Sequence, residues 1–390
     1  MNVLKFSARR RLFGAAVLLS LLAAGCASGP VGVSWPDVSF LGDTQQIVLA
    51  FNDRVVMVNP ENGDGVELRN AEGTVRVDEQ GNPRLWDVRG GETPVQFYAS
   101  PILLDEDTLL IPGYNKLLFE VDIPTARVEN PTGTAVGGYI VADFAVGADA
   151  LYLGLAERNL VALDRSDLSE LWVAETEHGV WAQPLLVENR LYFSSLDHNL
   201  YAVNTDTGET LWTLDLQGAA TSTPVYQDGH LYIGSFARKI FDINADTGVI
   251  LNEYATENWV WSSPALVDGM LYTADLGGFV YALDTSDGGL SEVWKVQAAT
   301  RAIRPTPLVS GDTIVVGSRD HHVYWLNRET GEVTDNRELS SEVMGDMLLI
   351  EPSDTLDISE PLVVVSTMAQ DQLLVAFTLE RGERIWDYGW

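Results

Sequence analysis

Short apolar runs that end in a small polar residue recur along the whole chain, and they predict β-strands followed by turns. Over most of the chain, consecutive runs end about 40 residues apart, a period that is typical of repeat architectures. The eight runs are Val56–Asn59, Phe119–Asp122, Val161–Asp164, Tyr201–Asn204, Phe241–Asn244, Tyr281–Asp284, Tyr324–Asn327 and Val375–Thr378.

Each repeat unit contains four short strand-like segments. In the unit that ends near Trp212 they are Trp181–Val187, Leu191–Ser194, Leu200–Val203 and Thr210–Leu214. These segments are rich in β-branched and aromatic residues and are separated by turn formers, which favours strands. No long run with a 3.6-residue apolar period follows the N-terminal region, so the pattern predicts an all-β protein.

The turn after the third segment has its own pattern. An Asn, Asp or Thr is followed four residues later by glycine in six units: Asn59/Gly63, Asn204/Gly208, Asn244/Gly248, Asp284/Gly288, Asn327/Gly331 and Thr378/Gly382. The polar side chain can accept backbone N–H bonds within the turn, and glycine can adopt a positive φ. The units at Asp122 and Asp164 have Ala126 and Leu168 instead of glycine.

Eight units of four short antiparallel strands predict a β-propeller of eight blades over residues 34–390. The first strands of the blades are expected to start near residues 36, 98, 140, 181, 221, 261, 304 and 345. Seven blades is the alternative, because the first and last units are the most irregular. The insertions Asp64–Arg84 and Glu351–Glu360 are expected to be surface loops.

The N-terminus has the pattern of an export signal. Lys5 and Arg9–Arg11 precede the apolar stretch Leu12–Leu22, which is shorter than a membrane span. Ala23-Ala24-Gly25-Cys26 then resembles a bacterial lipoprotein signal, cleaved before the acylated Cys26. Residues 1–25 are therefore predicted to be a signal peptide, and residues 26–33 a lipid-anchored linker. An ordinary signal peptide with a chance cysteine is the alternative, and Arg9-Arg10 faintly resembles a twin-arginine signal.

The signal also bears on location. Acyl chains on Cys26 would anchor the exported protein to a membrane. Ala27 and Ser28 resemble an outer-membrane sorting signal if the cell has two membranes; the outer face of the cytoplasmic membrane is the alternative. Since Cys26 is the single cysteine, the exported chain can form no internal disulfide.

The charge is strongly acidic. The formal net charge is −32, and loss of Lys5 and Arg9–Arg11 with the signal takes it to −36. Such a surface repels nucleic acid and anionic head groups, so no nucleic-acid partner is expected. The acidity could attract a basic partner or cations, or it could serve solubility alone.

Several units carry a recognisable motif. Ala202-x-Asn204-x-x-x-Gly208-x-x-x-Trp212 resembles the tryptophan-docking repeat of pyrroloquinoline-quinone-type (PQQ-like) propellers, with Asn in place of the usual Asp. The units at Ala162, Ala282 and Ala376 keep parts of it. The resemblance covers about residues 34–390. Both quinoprotein alcohol dehydrogenases and non-catalytic propellers have these repeats, among the latter the outer-membrane lipoprotein of the β-barrel assembly machinery.

The length of the chain and its lipoprotein signal resemble those of the non-catalytic propellers. The resemblance implies that five tryptophans in fourth strands dock between blades: Trp86, Trp172, Trp212, Trp294 and Trp386. Burial of each contributes on the order of 4–6 kcal/mol as an upper bound.

Aromatic and basic residues where the chain enters the first strands form the candidate binding site. First strands line the channel of a propeller, so these residues are expected at one rim. They are Tyr98, His178, Trp181, Trp259, Trp261, Arg301 and Arg304. Aromatic residues with arginine on an acidic protein have the composition of a protein-binding hot spot. The alternative is that they plug the channel mouth or pack under their own loops.

Catalytic and metal sites are not indicated. The quinoprotein dehydrogenases use a disulfide between adjacent cysteines next to a calcium-bound quinone, and Cys26 alone cannot form it. Four of the five histidines (His178, His198, His230, His321, His322) lie in or beside turns, and Asp105–Asp107 has the pattern of a hairpin tip. No nucleophile elbow, P-loop or zincin motif is present.

We therefore expect a lipid-anchored, non-catalytic propeller without a cofactor or metal that binds an envelope protein. The resemblance implies a role in outer-membrane protein assembly. The alternative is an extracytoplasmic recognition module for a polymer or small ligand, and a PQQ-dependent dehydrogenase is the third reading.

Overall fold

A computed structural model describes residues 34–42, 44–70, 72–89, 95–286 and 288–390. The described residues form 33 strands and one short 3₁₀ helix, Gln370–Gln372, and no helix among them is long and apolar enough to cross a membrane. The predicted signal peptide, Cys26 and the linker lie outside these residues.

The first four sheets follow one another along the chain. Sheet 1 contains β1 (Asp37–Leu41), β2 (Gln46–Phe51), β3 (Arg54–Val58) and β4 (Asp87–Val88). Sheet 2 contains β5 (Ile102–Leu103), β6 (Thr108–Gly113), β7 (Leu117–Asp122), β8 (Arg127–Val128) and the short β9 (Thr134–Ala135), which pairs with β7. Sheet 3 contains β10 (Ala145–Val146), β11 (Ala150–Gly154), β12 (Leu160–Asp164) and β13 (Glu170–Ala174). Sheet 4 contains β14 (Leu185–Val187), β15 (Arg190–Ser194), β16 (Asn199–Asn204) and β17 (Thr210–Asp215).

The last four sheets repeat the arrangement. Sheet 5 contains β18 (Val225–Gln227), β19 (His230–Ser235), β20 (Lys239–Asn244) and β21 (Ile250–Ala255). Sheet 6 contains β22 (Ala265–Val267), β23 (Met270–Ala274), β24 (Phe279–Asp284) and β25 (Ser291–Gln297). Sheet 7 contains β26 (Leu308–Ser310), β27 (Thr313–Gly317), β28 (His322–Asn327) and β29 (Val333–Glu338). Sheet 8 contains β30 (Leu348–Ile350), β31 (Leu362–Ser366), β32 (Leu374–Thr378) and β33 (Arg384–Tyr388).

Apart from β9, the strands of every sheet form an antiparallel meander in chain order, and together the sheets are the eight blades of a β-propeller. The structure confirms the prediction of eight blades rather than seven. Because consecutive turns of a meander alternate between its ends, the entry to each first strand and the turn after each second strand share one face. We call this the entry face. The turns after the third strands lie on the opposite face.

The burial of the strands explains the sequence pattern. The middle strands, such as β16, are buried on both sides because blades stack against each other, so they read as continuous apolar runs. The outermost strands, such as β17, alternate between exposed and half-buried residues. The hydrophobic core consequently consists of layers between blades: Leu49 of blade 1 and Val364 of blade 8, for example, belong to one cluster.

The turns after the third strands fold as their residues predict. Asn204 Oδ1 accepts the backbone N–H groups of Asp206 and Thr207, and Gly208 has a φ of 70°. Ala126 and Leu168, at the same position of blades 2 and 3, also have positive φ values of 52° and 59°. The turn geometry is therefore kept even where glycine is missing.

Tryptophans connect neighbouring blades. The indole N–H of Trp212 donates to Ala245 O at 3.0 Å in the next blade, and four others do the same at 2.8–3.0 Å: Trp86 to Ile123, Trp172 to Thr205, Trp294 to Arg328 and Trp386 to Pro60. Blade 7 uses Trp325 of the third strand β28, which donates to Leu379 O at 2.8 Å. The sequence motif did not single out Trp325, because Asp335 occupies the usual fourth-strand position opposite it.

The outer edges of the blades carry a repeated irregularity. In six blades the third and fourth strands slip by one residue at the same place, for example between Ala202 and Val203. In five of the six, the unpaired residue of the fourth strand is apolar and exposed: Leu171, Leu211, Leu251, Val293 and Ile385. Such bulges twist a strand edge and hinder its pairing with another chain.

The ring closes where blade 8 meets blade 1, by packing rather than by sharing a strand. The ring centres of Trp390 and Phe51 are 6.2 Å apart, and the guanidinium of Arg54 lies 5.1 Å from the centre of the Trp390 ring. The two predicted surface insertions are both mostly exposed, and each contributes one leucine to the core. The described residues of the first form isolated bridges, such as Glu67–Leu85, and Leu68, 6% exposed, joins the core between blades 1 and 2. The second contributes Leu356, only 7% exposed, to the core between blades 8 and 1.

Candidate functional site at the channel mouth

The start of each first strand repeats one three-residue step. The step begins with a bulky residue in several blades, as in Trp181-Ala182-Gln183 and Trp261-Ser262-Ser263, and its third residue is polar in all eight. Residues of this step line one cavity of about 200 Å³ on the axis of the propeller, and every blade except blade 2 contributes to the lining. The first residues form the mouth of this channel and the third residues form a polar ring farther in.

The polar ring is hydrogen-bonded from blade to blade. The backbone N–H of Ser100 donates to Asp143 Oδ1 at 2.7 Å, and that of Thr306 donates to Asp346 Oδ1 at 2.6 Å. Thr223 N–H donates in the same way to Ser263 Oγ at 2.9 Å. In each case a side chain of one blade accepts from the preceding blade, so these residues hold neighbouring first strands in register.

Three ring members are carboxylates, from blades 1, 3 and 8. Burial raises the pKa of Asp37 well above its usual value, and the nearby Asp143 and Asp346 raise it further. Burial also raises the pKa of Asp143 and of Asp346, against hydrogen bonds from Ser100 and Thr306 that lower them. The carboxylates are enclosed by protein but open to the channel, and Asp37 lies close enough to Asp143 and Asp346 for their charges to raise its pKa.

The mouth combines aromatic rings with arginine on the side of blades 5 to 7. The guanidinium of Arg304 lies 4.1 Å from the ring centre of Trp261. Phe236 lies between Trp261 and Trp259, with ring centres 5.6 Å and 5.3 Å away. Trp259 is 43% exposed, so this group of rings reaches the surface of the entry face.

Two more arginines surround Glu342 beside this group. Arg319 bonds both oxygens of Glu342, at 2.9 Å and 3.3 Å, and Arg301 lies 3.7 Å from it. Burial and the neighbouring Arg319 lower the pKa of Arg304 to about 10, against the opposite effect of Glu342. Arg304 Nε is buried and has no hydrogen-bond partner within the described ranges. This part of the rim is therefore positive on a strongly acidic protein.

A second row of aromatic rings lies on the side of blades 1 to 3. Trp35 contacts Tyr98 at 4.7 Å between ring centres, and Tyr98 contacts Tyr114 at 4.8 Å. Tyr114 stacks on Tyr139 at 4.7 Å, and Lys116 Nζ lies 4.4 Å from the centre of the Tyr139 ring. The row leads outward from the channel mouth to Tyr139, which is 36% exposed.

The predicted rim residues divide into two sets. Trp181, Trp261 and Arg304 line the channel, while Tyr98 and Trp259 join them through other rings. His178 is exposed, and Arg301 points to Glu342; neither lines the cavity.

Sequence reasoning missed several residues of the mouth. Trp35, Tyr114, Tyr139 and Phe236 were not singled out, nor were the three ring carboxylates. Trp35-Pro36-Asp37 aligns with Arg304-Pro305-Thr306 at the start of a first strand, and that alignment could have placed Trp35 at the mouth and Asp37 in the ring.

Comparison with known proteins identifies the family of the chain. A family model described as outer membrane protein assembly factor BamB matches residues 71–222 and 197–387. The chain belongs to this family. Its fold is similar to that of BamB from Moraxella catarrhalis, with a TM-score of 0.61 and 16% identity over 87% of this chain and 97% of that one. It is also similar to the computationally designed Ika8 protein, with a TM-score of 0.64 and 16% identity over 91% and 96% of the two chains. No curated protein gives a significant match.

The PQQ-like repeat of the BamB family raises the question whether a quinone cofactor and its metal fit the channel. The described residues contain no group of three His, Cys, Asp or Glu side chains that could hold a metal ion. The cavity of about 200 Å³ is also smaller than the roughly 300–1,000 Å³ of typical cofactor and drug sites. The channel residues of this BamB-family chain therefore do not fit that group.

Proposed function

We propose that the protein is a non-catalytic, lipid-anchored scaffold of the cell envelope that binds a protein partner in outer-membrane protein assembly. Membership of the BamB family supports the general role. The observation that supports the binding surface is the concentration of aromatic rings and arginines at the mouth of the channel, from Tyr139 to Arg301, on the entry face.

The composition of this face suits a protein interface. Aromatic and arginine side chains dominate binding energy at interfaces, where a few residues usually contribute most of it. Trp259 is stacked on Phe236 and yet exposed, so it can bury further area without reorganising the blade. The arginines around Glu342 fit a partner segment that carries carboxylates.

Site-specific photocrosslinking in native membranes tests the proposal. A photoreactive amino acid replaces Trp259 on the entry face, and in a matched control it replaces Val249, which is 56% exposed in a turn on the opposite face. We expect a discrete protein adduct from position 259 that mass spectrometry identifies as a component of outer-membrane assembly, and none from position 249. Adducts only with glycans, or equal adducts from both positions, would contradict the scaffold proposal.

A further inference from the structure

The negative charge in the channel is concentrated on one side. Asp346, Asp37 and Asp143 come from blades 8, 1 and 3, whereas blades 4 to 7 contribute the uncharged Gln183, Thr223, Ser263 and Thr306. None of the three carboxylates forms an ion pair within the described part of the chain. Arg304 does not neutralise them, because its guanidinium lies over Trp261 at the mouth.

A buried hydroxyl lies behind the carboxylates of blades 1 and 3. Ser100 holds the ring position of blade 2, between Asp37 and Asp143, and is only 6% exposed. Its backbone N–H donates to Asp143, but its Oγ has no hydrogen-bond partner among the residues described. A buried hydroxyl without a partner is costly, and native structures usually satisfy it. Ser100 does not line the cavity, so Asp37 and Asp143 are the polar groups that this part of the ring offers to a ligand in the channel.

The wall above the carboxylates is aromatic. Trp35, Trp181 and Trp261 line the cavity at its mouth, and the polar ring lies farther in. Indole rings offer apolar contact to an alkyl chain and attraction to a cation. A ligand with a positively charged end and an alkyl stem would match the carboxylates below and the rings above.

The geometry favours an ammonium ion over a metal ion. The carboxylates are close enough to repel each other, yet they form no group of metal-ligand geometry among the described residues. An ammonium group has three N–H donors and needs three acceptors spread around it. The cavity of about 200 Å³ has room for a small ammonium compound.

We propose that the channel binds a primary ammonium group, whose N–H donors reach Asp37, Asp143 and Asp346 while its alkyl stem lies between Trp35, Trp181 and Trp261. The carboxylates of this site lie inside the ring and are not part of the surface proposed to bind a protein partner, whereas the tryptophans at the mouth belong to both. The ammonium could come from a free diamine or polyamine or from the lysine side chain of a protein, and the chemistry of recognition is the same.

The first experiment measures binding of n-butylammonium to the purified exported domain by calorimetry and by NMR shifts of the tryptophan indole N–H groups. We expect one site, with binding at least tenfold weaker in Asp143→Asn and in Asp346→Asn. Asp246→Asn, at an exposed position outside the channel, is the matched control and should bind as the unaltered protein does. Equal binding in all four proteins would overturn the proposal.

Substitution at the mouth gives an independent check. Arg304→Gln removes a like charge from the path of the ligand and should tighten binding several-fold. Weaker binding in this variant would show that Arg304 recognises an anionic group, which contradicts a site for a simple ammonium.

Chemical controls separate the proposed site from others. Butyltrimethylammonium has the charge without N–H donors, and 1-butanol has the stem without the charge; both should bind at least tenfold more weakly. Calcium ions that bind stoichiometrically and displace n-butylammonium would identify a metal site and overturn the proposal. N-α-acetyl-lysine methylamide and spermidine then distinguish the sources: binding of the first supports a lysine side chain, and binding of spermidine alone supports a free polyamine.

Discussion

The indole of Trp212 lies directly on Gly248 of the next blade. A Cβ atom built on Gly248 would come within 2.7 Å of Cδ2 and Cε3 of that indole. The same relationship joins Trp172 with Gly208 and Trp294 with Gly331. One glycine thus serves two purposes, since it allows the positive φ of its own turn and leaves space for the tryptophan of the preceding blade.

Gly248→Ala should be clearly more destabilising than an ordinary glycine substitution. The φ of 69° disfavours alanine by about 1–2 kcal/mol, and displacement of the indole adds roughly 1–3 kcal/mol. Gly229→Ala is the matched control, because Gly229 also has a positive φ, 86°, but nothing lies within 4 Å of a Cβ there. Chemical denaturation of the two variants checks this; equal losses would show that the indole contact is unimportant.

The coupling between the two residues can be measured directly. Trp212→Ala should reduce the free energy of unfolding by about 3–5 kcal/mol, because it removes a large side chain from the interface between blades together with its hydrogen bond to Ala245 O. In that background Gly248→Ala should retain only its backbone cost. A double-mutant cycle should therefore give an interaction energy of about 1–3 kcal/mol. An additive result would mean that the clash relaxes without cost.

The motif Ala-x-Asn-x-x-x-Gly-x-x-x-Trp shows which parts of the fold can be predicted from the sequence. Its spacing predicts the strand, the turn and the cross-strand pair of Ala202 with Trp212, all of which are local. The motif does not predict the contact of Trp212 with Gly248, because that contact depends on how neighbouring blades stack. It also passes over Trp325, because there the tryptophan has moved to the strand opposite its usual position.

The channel was harder to predict for a related reason. Asp37, Asp143 and Asp346 belong to different local sequences and lie far apart along the chain. Only the shared register of the first strands places them around one axis. The aromatic rim was partly predictable because tryptophan and arginine stand out there, but Trp35 and Tyr139 required the closed ring.

Stability should depend on pH through the ring carboxylates. Their pKa values are raised in the folded protein above the unfolded value near 3.8 for Asp. The folded state therefore binds more protons than the unfolded state in the window above that pH, and these groups make stability fall as pH rises through the window. Asp37→Asn should remove most of the effect, so the variant should gain stability over the unaltered protein at pH 7 and little at pH 4.

Thermal unfolding of both proteins across pH 4–8 measures this difference. Exposed carboxylates such as Asp164 and Asp284 have lowered pKa values and act in the opposite direction at low pH, but they are common to both proteins and cancel in the comparison. A constant difference at every pH would contradict the assignment.

Membrane attachment should depend on Cys26 alone. Cys26→Ser removes the acceptor for acyl chains, each of which contributes roughly 0.8 kcal/mol per buried CH₂ group. We expect the variant in the soluble fraction of lysed cells, with the thermal stability of the purified domain unchanged. Ser28→Ala next to the site is the control and should remain in the membrane fraction. If Cys26→Ser also stays membrane-bound, the protein is not a lipoprotein.

The interface between blades 5 and 6 offers a site for stabilisation. Asn252 takes the tryptophan position, and its amide donates to Gly288 O of the next blade at 2.9 Å, whereas the indole of Trp212 donates to a carbonyl three residues before the turn glycine. Opposite it stands the fully buried Asp242, bonded to Asn252 and His230, where four other blades have alanine opposite tryptophan. A Cβ on Gly288 would meet nothing within 4 Å, so this interface lacks the ring that fills the others.

The double variant Asp242→Ala/Asn252→Trp should restore the common packing and raise the melting temperature by several degrees. Asp242→Ala alone should be destabilising by about 1–3 kcal/mol, because it leaves the polar groups of Asn252 and His230 without their partner. Asn252→Trp alone should help less than the double variant, because Asp242 would remain buried with one bond lost and little room for the indole. A double variant no more stable than Asp242→Ala would show that the polar pair sets the spacing of this interface.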